Sequence, residues 1–164
     1  MIIIIICLSG ASFTLYVSFY YTKYMGGNLY LNTMFAGVAS LFSSLVTIGL
    51  KYFVDTKHNL LISCLICIVF FPPILFDLPD WVIAVCFFIS FLQISAQLCI
   101  IFVLITELFF PLFVPFVFCM ADFVGRLLSI MSAQVVEIHD PIPVVCVVVV
   151  QVIMVILILF IRNN

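Results

Sequence analysis

Charged side chains are scarce in this chain: five Lys and Arg and seven Asp and Glu stand among 164 residues, or 7% of the sequence. A soluble domain of ordinary composition is about a quarter charged, which is what covers its water-facing surface. Nothing of that kind can be built here, and the net charge of −2 leaves no basic patch for nucleic acid. There is a single Trp and only two His, and no phosphate-binding glycine loop, dinucleotide fingerprint or nucleophile elbow occurs. These absences argue against a nucleic-acid partner, an organic cofactor and an enzymatic activity.

What fills the chain is apolar: 68% of residues are hydrophobic and the mean hydropathy is +1.51. Lipid is the solvent that suits such a composition. In hydrocarbon every backbone N–H and C=O must be satisfied internally, so spanning segments are helices or a closed barrel. Barrel strands would alternate in polarity over about ten residues. Here unbroken apolar runs approach the roughly 20 residues that a helix needs to cross a bilayer. The expectation is an all-α integral membrane bundle of six transmembrane helices in one domain, 1–164. The spans fall at Ile2–Tyr21, Tyr30–Phe53, Asn59–Phe76, Trp81–Ile105, Phe109–Val136 and Val144–Ile161.

Short polar segments punctuate these runs: Lys23 with Gly26-Gly27-Asn28, Asp55-Thr56-Lys57-His58, Asp77-Leu78-Pro79-Asp80, Glu107, and Glu137 through Pro141. None is long enough for a globular insert. Pro72-Pro73 should end or kink the third helix, since proline lacks the N–H that continues the ladder. Tyr30 and Trp81 sit where interfacial aromatics belong. The first run has no basic residues before it and ends in Tyr16, Tyr20 and Tyr21, unlike a signal-peptide cleavage site; it reads as a retained helix. With six crossings, Lys51, Lys57 and Arg162 share the side of both termini, against Lys23 on the other. The positive-inside rule then places the termini in the cytoplasm, or in the matrix of a mitochondrion.

Seven cysteines are present, and Cys64 and Cys67 form a C-x-x-C. Both lie within the third span among Leu and Ile, and the other five (Cys7, Cys86, Cys99, Cys119, Cys146) are dispersed through the spans. A metal or redox site asks for a second ligand pair or a polar, accessible setting. The simpler reading is that these are small buried hydrophobes. His58 and His139 fall on opposite sides of the membrane in this topology, so no metal is expected.

Polar residues inside the spans carry most of the remaining information, because they are costly in hydrocarbon. Asp122 and Arg126 share a face of the fifth helix at i,i+4 and can pair, with Ser129 continuing the face. Ser90, Gln93 and Gln97 form a stripe on the fourth. Gly37, Ser40, Ser44 and Thr47 form a small-residue stripe on the second, the pattern of a helix-packing seam. Two readings of the first two groups stay open. Either the fourth and fifth helices line a polar cavity with Asp122–Arg126 as a switchable pair, or these groups merely neutralise one another and join helices.

Several runs bring a known family into view. Phe19-Tyr20-Tyr21 is followed by Gly26-Gly27-Asn28-Leu29-Tyr30-Leu31-Asn32 and then Gly37; downstream stands Thr106-Glu107-Leu108-Phe109 with Pro111. The first stretch resembles the end of the seventh and start of the eighth helix of organic cation/anion transporters of the major facilitator superfamily. The second resembles the T-E-L-[FY]-P opening their eleventh helix. Arg126 lies nineteen residues after Glu107, where that family often has Arg or Asp. The resemblance would cover the chain as helices seven to twelve, the C-terminal half.

Departures are substantial. The family's D-R-x-G-R loop stands here as Asp55-Thr56-Lys57-His58-Asn59, with only the Asp in register, and Ala39-Ser40-Leu41 replaces the region of an acidic residue in the eighth helix. Past Glu107, Phe110 is inserted and Pro115 with apolar neighbours takes the place of an Arg. The 164 residues hold no counterpart of the N-terminal half, and in this superfamily the substrate sits between two halves that rock about it. Three expectations follow. The first is a degenerate half-transporter kept as a structural or accessory subunit of a larger membrane complex. The second is real organic-ion transport by this half, either dimerised or paired with a separate chain supplying an N-terminal half, in which Glu107, Asp122 and Arg126 would serve. The third sets the resemblance aside. The 19 Phe, the many Cys and the few Lys would also suit a small organelle-encoded respiratory-chain subunit. The lipid bilayer and other membrane subunits are the expected partners, in the mitochondrial inner membrane or the plasma membrane.

Overall fold

The computed structural model describes residues 2–25, 29–76, 78–138 and 141–160. Six α-helices follow one another: α1 (Ile2–Tyr21), α2 (Leu29–Lys51), α3 (Thr56–Phe70), α4 (Asp80–Leu108), α5 (Val114–Glu137) and α6 (Ile142–Phe160). A single 3₁₀ turn, Pro72–Leu75, extends α3. Each of the six is long and apolar enough to cross a bilayer once that turn is counted with α3, and among the described residues there is no strand. The chain is a multi-pass, all-helical membrane bundle.

Most of the expected boundaries shift by only a few residues, and the larger shifts have a local cause. The α-helical ladder of α3 stops at Phe70, ahead of Pro72 and Pro73, its last bond running from Phe71 N–H to the Cys67 carbonyl, and the chain then tightens into the 3₁₀ turn with Ile74 N–H donating to the Phe71 carbonyl at 3.3 Å. The fifth helix begins at Val114 rather than Phe109. Pro111 sits in an intervening turn, and Pro115 occupies the first turn of α5, where its missing N–H costs nothing. Residues 106–108, read as the link between spans, instead continue α4.

The helices assemble around α1 and α4, which cross in contact. The principal contacts are α1 with α5, α4 with α2, α3 with α4, α6 with α1, and α3 with α6. Exchanging α1–α3 for α4–α6 maps this set onto itself. Because three crossings separate corresponding helices, the two triplets run in opposite senses through the membrane, an inverted repeat expressed in packing.

Apolar burial offers little drive between helices already dissolved in lipid, so close approach and internal hydrogen bonds matter more. Gly10 of α1 lies so near α6 that an added Cβ would meet Val150 Cγ1 at 3.2 Å and Met154 Sδ at 3.3 Å. At Gly125 of α5, a Cβ would meet Ser12 Oγ at 3.1 Å. One buried cluster joins Leu8, Ala11, Leu60, Cys64, Ile101 and Met154. A second lies further along the bundle with Val17, Cys67, Phe71, Ile94, Val136 and Val147. A third, Ala36, Ala39, Phe87 and Phe91, seats α2 on α4.

The small-residue seam of α2 is displaced from its expected position. Ala36, Ala39, Ser43 and Thr47 are the buried residues, so of the expected stripe only Thr47 is buried. Ser40 is half-buried, Ser44 is exposed, and Gly37 has nothing within 4 Å of a would-be Cβ. The stripe misjudged the facing direction by about one residue, because small residues occur on adjacent faces of this helix.

Candidate functional site

Polar side chains of α4 form a spine that reaches three neighbouring helices, and a fourth through Gln151. Ser63 Oγ of α3 donates to Gln93 Oε1 at 2.8 Å and approaches the Gln93 carbonyl at 3.1 Å. Ser43 Oγ of α2 lies 3.1 Å from Ser95 Oγ. Gln97 and Gln151 of α6 exchange two amide hydrogen bonds, each 3.0 Å, and the Gln151 amide also reaches Thr14 Oγ1 of α1 at 3.4 Å. Gln97, Gln151 and Thr14 are wholly buried. Gln93 and Gln97, four residues apart, lie along one stripe of α4, while Ser95 turns to the other side because two residues advance a helix by about 200°. One helix therefore binds several neighbours through neutral groups.

Within this spine Gln97, Gln151 and Thr14 form one connected group. Thr14 donates its own proton to the Gly10 or Ala11 carbonyl and so can accept from Gln151. Ser90 donates to the Cys86 carbonyl within α4 and joins no other helix. Ser9 and Ser18 of α1 are buried with hydroxyls that meet no partner among the described residues. Gln151 and Thr14 are not marked out by residue order: Gln151 is a lone polar residue on α6, Thr14 is one of several small hydroxyl residues on α1, and only the meeting of three helices makes them a cluster.

Asp122 and Arg126 lie elsewhere. Arg126 Nε donates to Asp122 Oδ2 at 2.8 Å, while the side chains remain 74% exposed for Arg126 and 63% for Asp122. Ser129 turns its hydroxyl back to the Arg126 carbonyl and adds nothing to the pair. The pair stands on the outer face of α5, whereas Gln93 and Gln97 are engaged in contacts with α3 and α6. The structure does not bring the two groups into one cavity. At the link before α5 and along the first turn of that helix the described residues give instead an apolar groove lined by Phe109, Leu112, Phe113, Phe116 and Val117.

A second ion pair closes one end of the bundle. Lys51 Nζ lies 3.1 Å from a Glu107 carboxylate oxygen, with both side chains partly exposed. Lys51 ends α2 and Glu107 stands in the last turn of α4. Their meeting requires these helices to run parallel, as two spans separated by one full return must. His58 lies 3.6 Å from Asp55 at the start of α3.

Of the motif turn, Gly26, Gly27 and Asn28 lie outside the described residues, as does His139; Tyr30 and Asn32 belong to the first turn of α2, with Tyr30 on its outer face. The seven cysteines are unpaired, and four of them (Cys7, Cys64, Cys67, Cys86) are buried. Among the described residues no three of His, Cys, Asp or Glu converge as a metal site would need. Searches of protein-family models and of curated proteins give no match to this chain.

Proposed function

We propose that this chain is a transporter-derived membrane protein, similar to half of a major facilitator protein, that serves as a structural or accessory subunit of a larger membrane assembly. The observation that carries the reading is the Asp122–Arg126 pair, exposed on the outer face of α5 midway along a membrane-spanning helix. Ionisable groups in that position are expensive in hydrocarbon and are normally turned toward protein or a water-filled cavity. Another chain lying against α5 would supply that cover. The polar core supports the same reading, since its amides are bonded to one another between helices rather than arranged along an open path. In this proposal the assembly lies in the mitochondrial inner membrane or the plasma membrane, with both termini on the matrix or cytoplasmic side.

The test is purification of the native chain in mild detergent, followed by its deletion. Comigration with a large complex that fails to assemble without this chain is the expected result. A chain that migrates alone, and whose loss leaves membrane complexes intact, removes the proposal.

One observation favours a second reading, organic-ion transport by this half paired with another chain. The interchangeable contacts of α1–α3 and α4–α6 are the internal symmetry on which alternating-access transporters are built. Liposomes reconstituted with the chain and its copurifying partner would then take up an organic ion saturably. Asp122→Asn or Arg126→Gln would abolish that uptake.

A further inference from the structure

We propose that the outer face of α5 is a self-association surface on which a second copy of this chain docks, its Asp122 and Arg126 pairing reciprocally with those of the first. This rests on the assembly reading above and names one partner within it.

Cys119, Asp122, Phe123, Arg126 and Ile130 all lie exposed on α5 at spacings of three or four residues, which places them along one face. At 1.5 Å per residue, Asp122 stands about 12 Å from the start of the helix and Arg126 about 17 Å from its end, so neither reaches water easily. Within the chain the pair makes one hydrogen bond, Nε to Oδ2. That leaves both terminal guanidinium nitrogens, and the other carboxylate oxygen, without a hydrogen-bond partner among the described residues. A guanidinium has five N–H donors in a planar fork, so four of them remain open to a further acceptor, with Tyr16 of α1 as an electrostatic neighbour within the bundle. The adjoining face of α5, with Ala121 and Gly125, is buried, and Gly125 closely approaches Ser12 of α1, so the packing on α1 leaves the charged pair exposed beside it.

A second copy meets this demand through its symmetry. Copies in one membrane share an orientation, so a two-fold axis along the membrane normal sets the two α5 helices parallel, with like residues at equal height. Asp122 and Arg126 are offset by about 6 Å along the axis, a separation that long side chains bridge. Each guanidinium can turn its terminal nitrogens to the carboxylate of the other copy, closing a four-charge ring of zero net charge. An interface of this kind is isologous: one patch is its own complement. A partner bearing one unpaired charge would leave the ring charged, and a wholly apolar helix would leave the donors unmet.

Cys119 reports on the arrangement, since it lies about one turn before Asp122 on the same face. The full chain is oxidised in its native membranes, or treated with a short bis-maleimide, and a covalent dimer of twice 18.5 kDa is expected. Cys119→Ser should abolish it and Cys146→Ser should leave it intact. Asp122→Asn or Arg126→Gln should lower the dimeric fraction by roughly tenfold, the scale of losing a polar contact between helices in a bilayer. The exchange Asp122→Arg with Arg126→Asp should restore it. Photobleaching of the labelled, unmodified chain in nanodiscs should count two copies independently of any variant's folding. A single copy per disc, with no dimer through Cys119, overturns self-association. If that single copy still migrates in a large native complex, the assembly reading stands and only the homotypic contact fails. If the chain is alone in native extracts, both fall.

Discussion

A buried glutamine behaves differently when its partner is removed than when both are removed. Gln97→Leu alone leaves the Gln151 amide facing a methyl group in the interior, with only the 3.4 Å contact to Thr14 remaining. We expect a loss of about 1–3 kcal/mol, the cost of an unsatisfied buried polar group. The double substitution with Gln151→Leu should recover most of it, because both reciprocal bonds disappear together and the volumes are similar. Reversible unfolding in bicelles of the four proteins of that cycle measures the coupling; strict additivity of the two single changes would falsify the pairing. At the exposed Lys51–Glu107 pair, Lys51→Glu should cost only about 0–1 kcal/mol, as exposed ion pairs are screened and mobile, and adding Glu107→Lys should return the wild-type value in the same assay.

Among elements, the helices differ in how much contact each makes with the rest of the bundle. α5 packs chiefly on α1, and its inner face depends on Gly125 having no side chain. Gly125→Leu should destabilise the chain by about 1–3 kcal/mol through overpacking against Ser12. Gly37→Ala, on the open side of α2, should be neutral or gain less than about 1 kcal/mol from helix propensity. Thermal unfolding in detergent ranks the two, and equal effects would mean that α1 and α5 are not in close contact. The prolines explain how much of the element pattern could be read in advance. Pro72-Pro73 marked the end of α3 because the missing N–H acts locally, within one turn. The start of α5 was misplaced because Phe109 through Phe113 are as apolar as the helix that follows, so hydropathy does not separate a turn from a span.

For the whole molecule, we propose that all six apolar helices cross the membrane, which would set both termini on one side. Tags at the two ends should show the same protection from an impermeant thiol or protease in sealed vesicles, with the Asp77–Asp80 link protected in the opposite sense. Opposite protection of the two ends would require an odd number of crossings and would dismantle the helix assignment. At this scale α2 and α5 are the least buried spans, and α5 also carries the charges, so it is there that another chain is expected to lie.

Six spans, their approximate limits and the i,i+4 pairing of Asp122 with Arg126 were legible from residue order alone, because hydropathy, chain length against bilayer thickness, and helical periodicity are local properties. Which side of each helix faces inward was not. The seam of α2 falls one residue away from the stripe that composition suggested. Gln97 meets Gln151 across a separation of 54 residues, and Asp122–Arg126 turns outward instead of into a shared cavity. In lipid both faces of a helix are apolar, so the contrast that orients a helix in water is missing. The rotation of each helix is then set by close approach at small residues and by hydrogen bonds between helices, which exist only once the chain has folded.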